Sequence, residues 1–69
     1  MKLGLRRVTK DWPVRLQISV FTMPAGSTVI IRQTHEGESV VEFGERDIDW
    51  FDNSTIEKYT EELLLWEEK

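Results

Sequence analysis

The stretch from Pro24 to Phe51, PAGSTVIIRQTHEGESVVEFGERDIDWF, decides the fold of this chain. β-branched residues are dense in two segments of it, and Gly-containing or Pro-containing turns separate the segments. This pattern predicts a strand, a tight turn, a second strand, another turn and a short third strand. We therefore expect a three-stranded antiparallel meander, against which the remaining residues pack.

The pairing of the first two strands depends on the loop between them. A two-residue loop, Glu36-Gly37, pairs His35 with Glu38, whereas a loop one residue longer pairs His35 with Ser39. The longer loop gathers the apolar residues on one face and leaves an Arg–Glu pair outside, so burial favours it over turn chemistry. The predicted outward pair is Arg32 with Glu42, and the predicted inner face is Val29, Ile31, Val41 and Phe43.

The residues before the meander predict further strands. Loose alternation indicates a first strand over 5–10, and Pro13 interrupts the pattern after it. Residues 14–18 alternate cleanly and form either a short strand or the arm of a wide loop. The turn Pro24-Ala25-Gly26 follows, in which Gly26 is expected to take a positive φ.

The C-terminal part predicts a helix. Ser54-Thr55-Ile56-Glu57 matches a capping box, in which the Ser hydroxyl accepts from a free backbone N–H and the Glu reaches back. We expect the helix over about residues 55–68. Its predicted apolar face consists of Ile56, Tyr59, Leu63 and Trp66.

Length and composition restrict the classes of protein. The chain has 69 residues and no Cys, so we expect one domain without disulfides or thiolate metal ligands. No apolar run approaches the roughly 20 residues needed to span a bilayer, so we expect no membrane association. We interpret the protein as soluble and cytoplasmic.

The charge is distributed unevenly along the chain. Residues 1–32 hold six cationic side chains and one carboxylate, a net +5, and residues 33–69 hold three cationic side chains and twelve carboxylates, a net −9. Such asymmetry indicates either an electrostatic partner surface or two halves that neutralise each other in the fold.

The segments FTMPAGSTVIIRQ (21–33) and VVEFGERDIDWF (40–51) resemble bacterial and phage SH3-like domains. In these domains a P-x-G turn leads a strand, and a G-x-x-x-x-x-W-F segment ends the meander. The resemblance runs from about Val8 to Tyr59, and it lacks the aromatic segment and tandem Trp of the eukaryotic proline-binding version. It implies a mainly β (α+β) fold: a small antiparallel SH3-like barrel, or a curved five-stranded sheet, with strands within 5–51 and a C-terminal helix. The short chain and acidic helix further resemble phage or mobile-element accessory proteins, which implies binding and modulation of a host protein.

Residues that carry chemistry do not converge in this sequence. His35 is the single histidine and lies beside a predicted turn. Asp47, Asp49 and Asp52 are clustered, but they lack the D-x-D-x-D-G spacing of a calcium loop, so we interpret them as charges on an edge strand. Ser54 is interpreted as a helix cap. We predict no enzyme activity, no cofactor and no metal site.

We predict instead a protein-interaction module. Aromatic residues exceed what so small a core can enclose, and surface aromatic residues often anchor interfaces. Trp12, next to Pro13 in an expected loop, is the best candidate for an exposed anchor. Glu61 and Glu62 on the helix are expected to steer association, and Leu64 and Leu65 could also form a homodimer contact. The predicted partner-binding residues are Trp12, Trp50, Leu64, Leu65, Trp66, Glu61 and Glu62.

Two alternatives remain open at this point. A nucleic-acid-binding barrel would use a basic, aromatic face made of Lys2, Arg6, Arg7, Lys10, Arg15 and Arg32 with Trp12. A polyanion mimic would instead place the acidic segment 36–68 in a basic groove of a protein. The net charge of −4 opposes the first alternative.

Overall fold

Five antiparallel strands form the main sheet of the computed structural model, which describes residues 1–17, 19–44 and 48–63. The elements in chain order are β1 (Gly4–Val8), β2 (Trp12–Arg15), β3 (Val20–Met23), β4 (Thr28–His35), β5 (Glu38–Glu42), β6 (Ile48–Asp52), α1 (Asn53–Tyr59) and β7 (Thr60–Glu62). The strand order across the main sheet is β6-β5-β4-β1-β7, while β2 and β3 pair as a separate ribbon. The expected mainly β fold with a C-terminal helix is confirmed, as an open five-stranded sheet rather than a closed barrel.

The core lies between one face of the main sheet, called the inner face, and the layer made by the ribbon and α1. Its buried apolar residues are Val8, Trp12, Val14, Val29, Ile31, Val41, Phe43 and Ile56. The four residues predicted for the inner face are all among them. Trp12 lies at the centre, with its ring edge-to-face with Phe43 and Phe51 at 5.1 and 5.5 Å and stacked on Tyr59 at 5.4 Å.

The β4–β5 hairpin corrects the predicted register. His35 pairs with Glu38 across the two-residue turn, as turn chemistry indicates, so the longer loop is wrong. Glu36 and Gly37 both have positive φ, at 49° and 86°, as a type I′ turn requires. A β-bulge between Ile31 and Gln33 then shifts the register by one residue and pairs Ile31 with Val41. The bulge returns the apolar residues to the inner face, so both the turn and the burial are satisfied.

The backbone geometry accommodates both Gly26, in the turn after the ribbon, and Pro13, within it. Gly26 has φ 94° in a turn that the Ser27 N–H closes on the Pro24 carbonyl at 3.1 Å, which confirms the predicted positive φ. Pro13 lies inside β2, opposite Thr22. Because the Leu16 N–H donates to the Ser19 carbonyl, the alternation of the ladder turns the Pro13 nitrogen away from β3. Proline is tolerated there because no pairing donor is needed.

The C-terminal helix is shorter than expected. α1 ends at Tyr59, and Thr60–Glu62 pair antiparallel with β1 instead of continuing the helix. The backbone of β1 accounts for this, because the Thr9 N–H donates to the Tyr59 carbonyl and the Leu63 N–H to the Leu5 carbonyl. The remainder of the expected helix, residues 64–68, lies outside the described residues. Within the described part, no helix has the length and apolarity to cross a bilayer.

The predicted capping box is wrong. The N-cap residue is Asp52, no side chain caps the helix, and Ser54 lies inside its first turn. The start of the helix is fixed by the sheet, because the Asn53 N–H extends the β5–β6 ladder to the Gly37 carbonyl at 2.8 Å. The Asn53 Oδ1 accepts from the buried Ser39 hydroxyl at 2.5 Å, which ties the helix to β5.

Candidate interaction surface

The face of the main sheet opposite the core carries a second set of apolar residues. Side chains alternate between the two faces along each strand, so neighbours of core residues point away from the core. Pairing places Leu5 beside Ile30, and Val40 beside Trp50. We call this set the outer face: Leu5, Ile30, Val40, Ile48, Trp50 and Leu63.

Exposure is concentrated at the β6 end of the outer face. Ile48 is 50% exposed and Trp50 is 43% exposed. Leu5, Ile30 and Leu63 are half-buried, whereas Val40 is buried beside the Trp50 side chain. The outer face therefore presents a large aromatic residue and an aliphatic residue to solvent, on a rigid scaffold of paired strands.

Polar residues border the outer face at both ends of the strands. At one end Arg7 on β1 lies opposite Glu61 on β7. At the other end Glu38 on β5 lies opposite both His35 and Asp52, and all three side chains are exposed. Glu42, which accepts from Arg32, also lies within the outer face, between Ile30 and Ile48. The exposed apolar area is therefore the part formed by Trp50 and Ile48, and charged residues surround it, as is usual at a protein interface.

The edge strand β6 is closed to pairing at Trp50. Because the Asn53 N–H points to β5, the alternation of an antiparallel ladder turns the Trp50 N–H outward. That N–H donates to the Asp49 Oδ1 at 2.7 Å. Trp50 therefore offers its side chain, and not its backbone donor, to a partner.

The prediction that Trp12 is an exposed anchor is wrong. Trp12 is 2% exposed because it lies within β2, paired with Met23, and not in a loop. Its position on the inner side of the ribbon places the indole among Phe43, Phe51 and Tyr59. Trp12 is thus part of the core, and of the predicted anchors within the described residues only Trp50 is exposed.

The other predicted contact residues are separated from one another. Glu61 and Glu62 are exposed on β7, where Glu61 lies at the rim of the outer face and Glu62 is opposite Arg6 on the inner side. Leu64, Leu65 and Trp66 lie outside the described residues. The predicted homodimer contact through Leu64 and Leu65 stays a prediction for the same reason.

The basic face predicted around Trp12 does not form, although Lys10 and Lys58 lie over the Tyr59 ring, 5.3 and 5.4 Å from its centroid. Trp12 is buried, and Arg6 is buried and donates to Thr60. Arg32, at the bulge, donates from Nε to Glu42 Oε1 at 2.5 Å, and this hydrogen bond, followed by the attraction between the two charges, raises the pKa of Arg32. Arg6 and Arg7 also lie opposite Glu62 and Glu61 across β1–β7. The basic and acidic halves thus interleave in the sheet.

The side chains that could take part in catalysis or bind a metal lie apart from one another. His35 is exposed and lies 3.8 Å from Glu36 at the hairpin turn. Over residues 1–17, 19–44 and 48–63, no three His, Asp or Glu side chains are grouped as metal ligands. Asp49 and Asp52 are exposed on the edge strand β6, as interpreted from the sequence, and Asp47 lies outside the described residues.

Sequence reasoning predicted Trp50 as a contact residue and did not single out Leu5 and Ile48 on the same face. Both were available in the alternation, since each lies next to a residue of the opposite face in its own strand. The signal is weak, because a sheet with two apolar faces reads along the sequence as a continuous apolar run. The chain matches no protein-family model, and no curated protein or solved structure matches it.

Proposed function

We propose that this protein is a non-enzymatic interaction module that binds another protein through the outer face of its main sheet. The observation that carries this proposal is the exposure of Trp50 and Ile48, two large apolar side chains next to the buried Val40 on the outer face. Tryptophan is enriched among the residues that dominate binding energy, especially where surrounding residues exclude water. Trp50 has such surroundings in Val40 and Ile48.

The charges at the rim support the same function. Glu61 and Arg7 lie at one end, and Glu38 and Asp52 lie at the other. Charges at a rim change association rates and partner choice more than they change affinity. In this proposal Trp50 and Ile48 provide affinity and the rim selects the partner. That the partner is a host protein, as the resemblance to phage or mobile-element accessory proteins implies, is part of the proposal.

Two variants of the outer face and one control variant test the surface. Affinity capture from the native host, followed by titration of the captured protein, is compared for Trp50→Ala, Ile48→Ser and Val20→Ser. Val20 is a suitable control because it is 66% exposed and apolar but lies on the ribbon, away from the outer face. Trp50→Ala is expected to raise the Kd about 30-fold, which corresponds to about 2 kcal/mol.

Ile48→Ser is expected to weaken binding less than Trp50→Ala, and Val20→Ser is expected to leave it unchanged. Far-UV circular dichroism establishes that each variant is folded. Unchanged binding by folded Trp50→Ala and Ile48→Ser would show that the partner uses another surface. Loss of binding in Val20→Ser alone would assign the interface to the ribbon.

A further inference from the structure

Arg6 is a buried cation with no carboxylate partner among the described residues. Its side chain is 9% exposed, and the ion pairs found there involve Arg32 and His35 instead. Arg6 donates from Nε to the Thr60 Oγ1 at 2.7 Å and from Nη2 to the Thr60 carbonyl at 3.3 Å. Buried charges are normally paired, because removal from water costs several kcal/mol per ion. Two neutral acceptors compensate for only part of that cost.

Thr60 fixes the orientation of the guanidinium. The Thr60 hydroxyl donates to the Ile56 carbonyl at 2.6 Å while it accepts from Arg6, so its rotamer is determined on both sides. The fork of donors on Arg6 is rigid and planar. With Nε and Nη2 held by Thr60, the Nη1 donors have no acceptor among the described residues.

Arg6 lines an open cavity of about 530 Å³. Nη1 is not among the fully buried side-chain atoms that lack a hydrogen-bond partner. The cavity lies at the β1–β7 end of the sheet, between α1 and the N-terminal residues, and extends to Glu61 at the rim of the outer face. Its lining residues are Met1, Lys2, Arg6, Glu57, Thr60, Glu61 and Glu62.

The cavity brings both signs of charge together. Lys2, Glu57, Glu61 and Glu62 are exposed, so they lie at the opening, whereas Arg6 lies at the wall. A simple anion would meet Arg6 but would be repelled by three carboxylates at the opening. A simple cation would be repelled by Arg6. A small molecule that carries both charges would satisfy the two sets at once.

We propose that this cavity binds a small zwitterion of the amino-acid class. Its carboxylate would accept hydrogen bonds from the Arg6 Nη atoms, and its ammonium group would lie among the carboxylates of Glu57, Glu61 and Glu62. Guanidinium–carboxylate pairing is the strongest charge-assisted hydrogen bonding available to such a ligand. Because the opening is solvated, the glutamates contribute less than Arg6 does.

Titration monitored by amide and guanidinium NMR tests this assignment. The probes are three zwitterions of increasing span (glycine, 4-aminobutanoate and 6-aminohexanoate), together with hexanoate and hexylammonium as single-charge controls at matched ionic strength. We expect at least one zwitterion to shift the Arg6 Nε–H and the Thr60 amide in a saturable way. We expect neither single-charge control to do so over the same concentrations.

Two variants identify the residues responsible. Arg6→Gln is expected to abolish saturable binding, whereas Arg7→Gln is the matched control because Arg7 is exposed on the other face of β1. Since Arg6→Gln could also weaken the β1–β7 contact, the exposed pair Glu57→Gln with Glu62→Gln provides a variant that keeps Arg6. We expect that double variant to bind the zwitterion about fivefold more weakly, which is about 1 kcal/mol.

Several results would overturn the assignment. Equal binding of hexanoate and the zwitterions would make the cavity a general anion site, and equal binding of hexylammonium would assign it to the glutamates alone. The absence of a saturable shift with all three zwitterions would mean that Arg6 is structural. Arg7→Gln losing binding as fully as Arg6→Gln would place the ligand on the other face.

Discussion

The two described strand tryptophans of this chain, Trp12 and Trp50, have opposite environments. Each is in a short strand and each is preceded by an Asp, and the Pro that follows Trp12 suggests exposure for the residue that is in fact buried. Trp12 is enclosed by three aromatic rings, and Trp50 is close to half exposed. The difference arises from what lies across the sheet, because the ribbon and α1 cover the inner face. Burial in this protein is therefore set by layering and not by the strand itself.

The largest expected change in the free energy of unfolding comes from replacing one of the two tryptophans. Trp12→Ala is expected to lower the free energy of unfolding by about 3–5 kcal/mol, because it leaves a cavity among aromatic rings. That loss is comparable with the total stability of a domain this size, at about 0.05–0.15 kcal/mol per residue. Trp50→Ala is expected to cost less than about 1 kcal/mol. Urea unfolding followed by circular dichroism measures both, and equal losses would contradict the layered arrangement.

Two isoleucines allow the same comparison of a buried and an exposed side chain without aromatic rings. Ile56, on α1, is fully buried, and Ile48, on β6, is half exposed. Ile56→Ala is expected to destabilise the fold by about 2–4 kcal/mol, and Ile48→Ala by no more than about 0.5–1 kcal/mol. Thermal unfolding of the two variants at equal concentration would show this. A cost for Ile48→Ala that matched Ile56→Ala would indicate that the outer face is covered in solution.

These contrasts explain what sequence reasoning achieved here. The inner-face residues Val29, Ile31, Val41 and Phe43 follow from two-residue periodicity, and the turn at Gly26 follows from backbone preference. The register failed because the turn and the burial were treated as alternatives, whereas the bulge at Arg32 satisfies both. A bulge has no sequence signal of its own strong enough to choose its position.

The remaining errors share a non-local cause. Glu61 and Glu62 have low strand propensity, and residues 60–62 form a strand because the backbone of β1 pairs with them. Trp12 appeared exposed because Pro13 suggested a loop, yet the nitrogen of Pro13 points away from β3 and the strand continues. The SH3-like resemblance stays a prediction, as do the partner and the contacts expected from Leu64, Leu65 and Trp66.

Loss of a buried hydrogen bond on the inner side is expected to have a smaller effect on the free energy of unfolding. Ser39 is fully buried on β5, with its hydroxyl 3.1 Å from Thr34 Oγ1 and 2.5 Å from Asn53 Oδ1. Ser39→Ala is expected to cost about 1–3 kcal/mol, because the Asn53 acceptor loses its donor. Ser54→Ala is the matched control, since Ser54 is exposed and does not cap α1. Urea unfolding that showed the larger loss for Ser54→Ala would restore the capping box.

The smallest effect concerns the hairpin tip, which belongs to neither layer. Glu36 has φ 49°, a left-handed conformation that Asn tolerates better than Glu. Glu36→Asn is expected to raise the free energy of unfolding by about 0.5 kcal/mol. Glu36→Gln removes the same charge but keeps the long side chain, and it should leave stability unchanged. Calorimetry on the two variants separates backbone conformation from charge, and an equal gain in both would assign the effect to charge.

On β2 and on β6, one backbone position that faces away from the paired strand lacks a free N–H donor. This affects how readily the protein aggregates during storage and expression. Growth of a cross-β fibril requires an edge whose successive N–H and C=O groups are all available to the next chain. Pro13 has no donor at the outward position of β2, and Asp49 occupies the donor of Trp50 on β6. Each missing donor lies within its strand, so another chain that added to this edge would lose a hydrogen bond there. An Asp49→Ala chain should thus seed amyloid more readily than the native one, although the substitution removes no core contact.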